Sequence, residues 1–412
     1  MSVPYAFRAL RHRNYRLYFA GQGVSLIGTW MQRVAMSWLV YRLTGSAAWL
    51  GLVGFAGNLP TFLLAPLAGA WIDRSDKRRL LLATQALAAA QAATLFLLVA
   101  TDAVRVWHLM LLSIVLATVN AFDMPGRQSL VVEMVGDRGD LPNAIALNSS
   151  MVNSAKLIGP SVAGIAIGAL GEAVCFGLNA ASYVAVLLAL AAMRVPAKER
   201  PGGRGRVWAD MVEGARAVRR NPLQGRALLL LAIVSLVGIP YGVLMPVFAK
   251  EILRGGPQTL GFLMAAPGFG AVLGALRLAS LRRTDRLPAH VVRAAALFGA
   301  ALVAFSMSRW LSVSLILLAI AGFAQMTQMA STNTILQTTV EDGMRGRVMS
   351  FYTMSFQGTM PVGNLLAGAA ATVLGAPGTV ALCGALSMLA AALFADLARH
   401  RVASPVQSPG SV

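Results

Sequence analysis

The stretch "GAWIDRSDKRR", residues 69–79, separates two long apolar runs and decides the fold class. The apolar runs that flank its charged part, residues 47–71 and 80–100, contain no charged residue. A helix needs about 20 apolar residues to cross a hydrocarbon core of about 30 Å. The pattern therefore predicts two membrane-spanning helices joined by a short loop. The charged residues of this loop are Asp73, Arg74, Asp76, Lys77, Arg78 and Arg79.

The rest of the chain repeats this pattern of long apolar runs and short polar loops. Of its 412 residues, 57% are hydrophobic and 12% are charged, and this charged fraction is about half that of a soluble domain. We therefore predict an all-α membrane protein with 12 transmembrane helices in two pseudo-symmetric six-helix bundles. The predicted spans are residues 17–41, 47–71, 80–100, 106–126, 143–169, 173–193, 226–249, 257–281, 288–308, 311–336, 348–373 and 377–397.

The net charge of +19 fits either a nucleic-acid surface or a membrane topology signal. With the N-terminus placed inside, the predicted cytoplasmic segments hold 27 Lys and Arg residues and the outer loops hold 5. This bias follows the positive-inside rule of membrane proteins. We therefore predict a multi-pass protein of the bacterial inner membrane with both termini in the cytoplasm and no nucleic-acid partner.

The longest polar stretch, residues 194–225, divides the predicted spans into six and six. We expect an N-terminal bundle at 1–193, a cytoplasmic linker at 194–225, a C-terminal bundle at 226–400 and a disordered tail at 401–412. The linker segment at 207–221 has one apolar face, which favours a helix on the membrane surface, with a solvated linker helix as the alternative.

Glycines indicate that the two halves are parallel repeats, as in transporters whose bundles rock about a central site. A chance match of small residues at helix contacts is the alternative. Gly159, Gly164 and Gly171 recur 204 positions later as Gly363, Gly368 and Gly375.

The charged loop resembles the signature of the major facilitator superfamily between helices 2 and 3. The matching positions are Gly69, Asp73, Arg74, Arg78 and Arg79. Asp76 stands where the signature has a second Gly, and Asp tolerates the left-handed backbone conformation better than most residues.

The resemblance implies a gate on the cytoplasmic side. Asp73 would face the positive N-terminal end of helix 11, near residues 346–350, where unpaired backbone N–H groups favour an anion. Asp123, near the inner end of helix 4, resembles a third member of this relay and would reach Arg74 or Arg127. The alternative is that the loop is only a topology anchor.

Other motifs resemble a subfamily of secretion transporters that includes the bacterial enterobactin exporter. They are "SLIGTWMQ", "LVYRLTGSA" and "VEDGMRGRVMS", and the likeness covers residues 8 to about 400. Gly159, Pro160 and Gly164 resemble the exporter motif of helix 5 in the same superfamily. A packing surface with no bearing on transport direction is the alternative.

Two cations lie deep inside predicted spans, where charged groups are costly and usually functional. They are Arg33 in helix 1 and Lys156 in helix 5, and we expect them to favour anionic substrates. The alternative is a structural bond from each to a neighbouring backbone carbonyl. A third cation, Arg277, is close enough to a helix end to reach the headgroups.

Polar residues of helices 1, 4, 7, 10 and 11 complete the predicted substrate cavity, although such residues often serve only as bonds between helices. They are Gln22, Ser25, Trp30, Gln32, Asn120, Tyr241, Gln325, Gln328, Tyr352 and Gln357.

The chain lacks the motifs of an ATP-driven pump or a membrane enzyme. It has no G-x-x-x-x-G-K-[ST] sequence, and its four histidines are scattered. A receptor or scaffold would need neither a gate nor symmetric halves. We therefore predict a secondary transporter that works by alternating access and exports a small molecule, such as a siderophore, a drug-like compound or another amphiphile. An uptake permease or a lipid-moving transporter of the same fold is the alternative.

The prediction of a secondary transporter also indicates which partners the protein should have. These are the small-molecule substrate and membrane lipids, without a metal, a cofactor or catalytic residues, and the protein is expected to be a monomer. Exchange for protons needs a group that titrates between the two facing states. Asp123 is a candidate for that group, and exchange without protons stays open.

Overall fold

The computed structural model describes residues 5–72, 75–135, 137–193, 207–280 and 286–399. These ranges are almost entirely helical and contain no β-strand. Asp73, Arg74, residues 194–206 of the linker and the tail at 401–412 lie outside the described residues. The described residues divide into two compact units, of which the first contains those of 5–193 and 243–265, and the second those of 207–242 and 266–399.

The first unit contains the helices that correspond to the first six predicted spans. The second predicted span is broken into two helices at Gly57 and Asn58. The helices are α1 (Arg13–Thr44), α2 (Ala47–Ala56), α3 (Leu59–Ile72), α4 (Lys77–Ala100), α5 (Val106–Met134), α6 (Leu141–Leu170) and α7 (Glu172–Ala192).

The remaining helices belong mainly to the second unit, although the first unit also holds residues 243–265. Short 3-10 and π-helical segments interrupt them at Ile239–Leu244, Phe248–Ile252 and Met354–Gly358. The helices are α8 (Val207–Arg220), α9 (Pro222–Val237), α10 (Met245–Val247), α11 (Pro257–Ala279), α12 (Leu287–Met307), α13 (Leu311–Thr339), α14 (Arg345–Thr353) and α15 (Met360–Leu393).

The helix lengths confirm a multi-pass membrane protein. Within the described ranges, nine helical segments are long and apolar enough to cross a membrane. The more polar α1 and α6 have 32 and 30 residues, which also exceeds the roughly 20 required. The last segment, Arg345–Leu393, has 49 residues, and Gly375 interrupts it with a φ of 69°. At about 1.5 Å per residue it is long enough for two spans, and the total agrees with the predicted twelve.

The start of α4 shows how the sequence ends the charged loop. The Asp76 carboxylate accepts hydrogen bonds from the backbone N–H groups of Arg78 and Arg79, at 3.0 and 3.1 Å. This is an N-cap, which satisfies two of the free donors at a helix start. The backbone of Asp76 is extended, with a φ of −66°. Asp76 therefore does not adopt the left-handed conformation that a glycine at this position of the signature would allow.

The linker helix α8 packs along one side against α14. A Cβ atom on Gly214 would lie only 2.9 Å from the Phe351 ring of α14, and Arg347 forms a 2.9 Å ion pair with Glu213. Val218 contributes to an apolar cluster around Val348. One face of this helix therefore contacts α14, a contact that the amphipathic pattern alone did not indicate.

Candidate functional site

The described part of the charged loop holds α4 against the end of α7. Arg78 donates hydrogen bonds to the backbone carbonyls of Leu190 and Ala191, at 2.7 and 2.6 Å. These carbonyls belong to the last turn of α7, where a cation is favourable. Arg79, by contrast, is largely exposed and lies 3.4 Å from Asp76. Arg78 thus joins two helices, and Gly69 lies within the last turn of α3.

Asp123 is the centre of a buried polar cluster between α4 and α5. It is only 2% exposed, and its carboxylate lies 2.6 Å from Nε of Arg127 one turn later. Thr84 and Gln85 of α4 donate hydrogen bonds to the same carboxylate at 3.0 and 2.7 Å. The structure therefore shows Arg127 as the partner of Asp123, while the other predicted partner, Arg74, lies outside the described residues. The two hydrogen bonds from α4 to the Asp123 carboxylate tie α4 to α5, and the ion pair with Arg127 lies within α5.

The two deep cations lie beside the same aromatic ring. The Arg33 guanidinium carbon is 4.7 Å from the centroid of the Trp30 ring, and the Lys156 ammonium is 6.0 Å from it. Arg33 is exposed and Lys156 is half-buried. Within the ranges that the structure describes, neither cation forms an ion pair or a hydrogen bond to a backbone carbonyl. We call Trp30, Arg33 and Lys156 the Trp30 cation site.

The predicted exporter motif of α6 lies directly next to this site. A Cβ atom on Gly159 would lie 2.5 Å from Cβ of Trp30 and 3.0 Å from the carbonyl oxygen of Ile27. Only glycine allows α1 and α6 to approach this closely. Gly164 makes a second close approach, because its Cβ would lie 2.8 Å from the carbonyl oxygen of Pro257. The motif therefore holds Trp30 in place and also packs α6 against the start of α11.

Gln32, predicted for the cavity, belongs instead to a buried network of amides. Its Nε2 donates to Gln91 at 2.9 Å, and its Oε1 accepts a hydrogen bond from Asn179 at 2.7 Å. Gln91 in turn donates to the carbonyl of Leu112 at 3.2 Å. The network joins α1, α4, α5 and α7, as polar side chains between membrane helices often do. In α1, Gln22 and Ser25 are buried as well.

The predicted residues of the later helices lie in different surroundings. Tyr241 is buried and packs edge-on against Phe298, with ring centroids 6.1 Å apart. Tyr352 donates a hydrogen bond to the carbonyl of Met329 at 3.3 Å. Gln328 is buried in α13, and its Nε2 group has no hydrogen-bond partner among the described residues. Gln357 is exposed in the π-helical segment. Asn120 and Gln325 are half-buried.

An acidic residue that the sequence did not indicate anchors the N-terminal segment. Asp140, just before α6, lies 2.9 Å from His12, 2.9 Å from Arg11 and 3.2 Å from Arg8. The hydrogen bonds from His12 and then Arg11 hold the pKa of Asp140 below its usual value. The signal available in the sequence was an acid directly before the Pro-containing first turn of a helix.

An ion pair and a hydrogen bond at the C-terminal end of α1 were also not predicted from the sequence. Arg42 pairs with Glu172 at the start of α7, at 2.8 Å. Tyr41 donates a hydrogen bond to Glu251, and the neighbouring Lys250 lies 5.6 Å from the Tyr41 ring. All of these residues belong to the first unit. They show that residues 243–265 are tied to the end of α1.

Comparison with curated proteins identifies relatives over most of the chain. The multidrug efflux pump Tap of Mycolicibacterium fortuitum is 30% identical over 368 residues, covering 86% of this chain and 87% of its own length. The staphyloferrin A transporter of Staphylococcus aureus is 24% identical, with coverages of 90% and 92%. The macrolide efflux protein A of Streptococcus pyogenes is 21% identical, with coverages of 91% and 96%.

Solved structures with the same fold are transporters. A bacterial homologue of the human lysosomal transporter Spinster has a TM-score of 0.74 at 15% identity, covering 98% of this chain and 100% of its own. The nucleoside transporter NupG has a TM-score of 0.70 at 14% identity, with coverages of 94% and 98%. Residues 4–408 match the profile described as transmembrane secretion effector. This chain is therefore a member of the transmembrane secretion effector family, an all-α, multi-pass membrane protein with the fold of the major facilitator transporters.

Proposed function

We propose that the protein exports a small molecule by alternating access across the bacterial inner membrane. The observation that carries this proposal is the similarity, over nearly the whole chain, to proteins named as multidrug and macrolide efflux pumps. The sequence offers no nucleotide-binding motif, so an ion gradient is the proposed source of energy, with protons as the exchanged ion. Both termini are assigned to the cytoplasm from the distribution of Lys and Arg.

The proposed gate is the charged loop with its partners. Asp73 would act as the anion that faces the N-terminal end of the helix starting near Arg345, where free N–H groups favour negative charge. Support comes from the match of Gly69, Asp73 and Arg74 to the superfamily signature, and from the neighbouring contacts of Arg78 with α7. Arg78 would provide a rigid base from which the loop can open and close.

Asp123 is assigned a structural part in this gate. Its carboxylate is already held by Arg127, Thr84 and Gln85. The cluster therefore supports a fixed link between α4 and α5 next to the charged loop.

Accumulation of probes in living cells tests export. A host that lacks its own drug pumps would express the chain and be loaded with erythromycin, a macrolide, or with the organic anion carboxyfluorescein. Expression should lower the steady-state accumulation of at least one probe, and a protonophore should restore it. The Asp73→Asn variant at equal expression is the matched control and should lower accumulation less. Unchanged accumulation of both probes, or higher accumulation on expression, would contradict export.

Reporter fusions test the orientation separately. A reporter that is active only in the periplasm should be inactive when it is fused after Val412, and a reporter that is active only in the cytoplasm should be active there. The opposite pair of results would reverse the proposed topology.

A further inference from the structure

We propose that the Trp30 cation site binds the carboxylate group of an organic anion, with the apolar part of that anion against the Trp30 indole. This inference rests on the proposed transport function, because it names the chemical class of the substrate. Arg33 and Lys156 would share the carboxylate, and Trp30 would hold the two cations at a fixed separation. The site lies entirely within the first unit.

The backbone positions the three side chains together. Trp30 and Arg33 are three residues apart on α1, so they occupy the same helix face. Lys156 stands three residues before Gly159 on α6, and Gly159 contacts Trp30 so closely that no side chain fits there. The glycine contact therefore sets how far Lys156 lies from the indole.

The chemistry of the two cations suits a carboxylate. A guanidinium that stacks on an indole face keeps its N–H donors free at its edge, where they match the two oxygens of a carboxylate. The Lys156 ammonium adds up to three donors. The two cations also act on each other as like charges, which costs free energy in a low-dielectric environment. A bound anion removes this repulsion and replaces it with attraction.

Within the described residues, the two cationic groups have no acidic partner. Arg33 is exposed, although its neighbours Gln32 and Val34 on α1 are buried. In the part of the chain that the structure describes, no Asp or Glu forms an ion pair with Arg33 or Lys156. Buried Asp123 is already engaged by Arg127. A bound anion would supply the negative charge that the described residues do not provide for this pair.

Arg277 provides a matched comparison within the same chain. It is also a cation inside a predicted span, and its guanidinium carbon lies 5.6 Å from the Phe323 ring centroid. However, no second cation faces that ring in the described structure. A single cation over an aromatic ring can therefore be purely structural. The Trp30 cation site differs from the Arg277 site because two cations lie near the same ring.

Binding of two probes of equal shape tests the site. The full-length protein, purified in detergent, would be dialysed to equilibrium against 2-naphthoate or 2-naphthamide, which differ in charge and not in size. The wild type should bind naphthoate at least about tenfold more tightly than naphthamide, because hydrogen bonds to charged groups are the stronger ones. Arg33→Gln and Lys156→Gln should each weaken naphthoate binding by about tenfold and leave naphthamide binding unchanged.

Further variants separate an anion site from a structural role. Arg277→Gln should bind both probes like the wild type, and Lys156→Arg should keep the preference for naphthoate. Thermal unfolding of the variants should remain close to that of the wild type. If Lys156→Gln yields no folded protein, Arg33→Gln and Lys156→Arg decide the question. The proposal would be overturned if the wild type bound the two probes with equal affinity, or if the variants lost affinity for both probes equally.

The outcomes also separate this inference from the proposed function. Energy-dependent export of erythromycin, together with no preference for naphthoate, would overturn the anion site and leave export standing. A preference for naphthoate that depends on Arg33 and Lys156, together with no export of any probe, would support the site and contradict export.

Discussion

Replacement of Gly159 by alanine tests whether the close contact between α1 and α6 holds the Trp30 cation site. The new Cβ atom would lie 2.5 Å from Cβ of Trp30 and 3.0 Å from the carbonyl oxygen of Ile27. Neither of these atoms is the free end of a flexible side chain, so the helices themselves must move apart. We expect the Gly159→Ala protein to be less stable and to bind anions more weakly.

The size of the effect follows from two opposing terms. Forcing an extra carbon into a packed contact costs about 1–3 kcal/mol, and distances this short suggest the upper half of that range. Alanine favours a helix over glycine by up to about 1 kcal/mol. The expected net loss is about 1–2 kcal/mol, which lowers the midpoint of thermal unfolding by a few degrees.

Gly168→Ala is the matched control on the same helix. Its added Cβ would lie 2.6 Å from Nε2 of Gln258, which is the end of a flexible side chain and can rotate away. We expect this variant to unfold at or slightly above the wild-type temperature. Thermal unfolding of the two variants in the same detergent measures the difference. Equal midpoints for Gly159→Ala and Gly168→Ala would refute the reasoning.

Three further predictions concern the charged groups. Asp140→Asn should lower the stability of the protein at neutral pH. The pKa of Asp140 is lowered in the folded protein, chiefly by His12. The stabilising contribution of Asp140 is therefore present above its pKa in the unfolded chain, and it is lost as the pH falls through its pKa in the folded protein. The difference between the unfolding midpoints of wild type and variant should therefore stay constant above about pH 5 and shrink as the pH falls below about 4. A difference that does not change between about pH 7 and about pH 2 would contradict this. Asp123→Asn should be destabilising by up to about 3–5 kcal/mol, the cost for a fully buried pair, because it leaves the partly buried Arg127 without its partner. The double variant with Arg127→Gln should recover part of the loss in the same unfolding assay, and no recovery would exclude the pair as the cause. Asp73→Asn should weaken the proposed latch by about 0.3–2 kcal/mol and reduce transport without reducing membrane insertion, and unchanged accessibility of engineered cytoplasmic cysteines would argue against a latch.

The positions of the helices could be predicted from the sequence because the bilayer imposes both their length and their composition. The predicted span 288–308 corresponds to α12, Leu287–Met307, and the predicted span 143–169 to α6, Leu141–Leu170. Hydropathy gave no sign of the break between α2 and α3. There, Asn58 donates a hydrogen bond to the carbonyl of Gly54, and such local bonds leave the average apolarity of a run unchanged.

The candidate site was predictable only in part. The pairing of Asp123 with Arg127 follows from their spacing, since residues four apart face each other on a helix. The approach of both Arg33 and Lys156 to the Trp30 ring depends on how closely two distant helices pack, which no local pattern encodes. For the same reason, Gln32 could not be assigned to the amide network before its partners on other helices were known.

Transport into everted membrane vesicles measures the direction of movement most directly. The interior of such vesicles corresponds to the outside of the cell, and a proton gradient can be imposed on them. Export predicts that erythromycin or carboxyfluorescein accumulates inside energised vesicles that contain the wild-type protein, and that the accumulated probe leaks out when a protonophore is added. Accumulation in right-side-out vesicles alone, or no accumulation in either preparation, would contradict the assignment of this protein as an exporter.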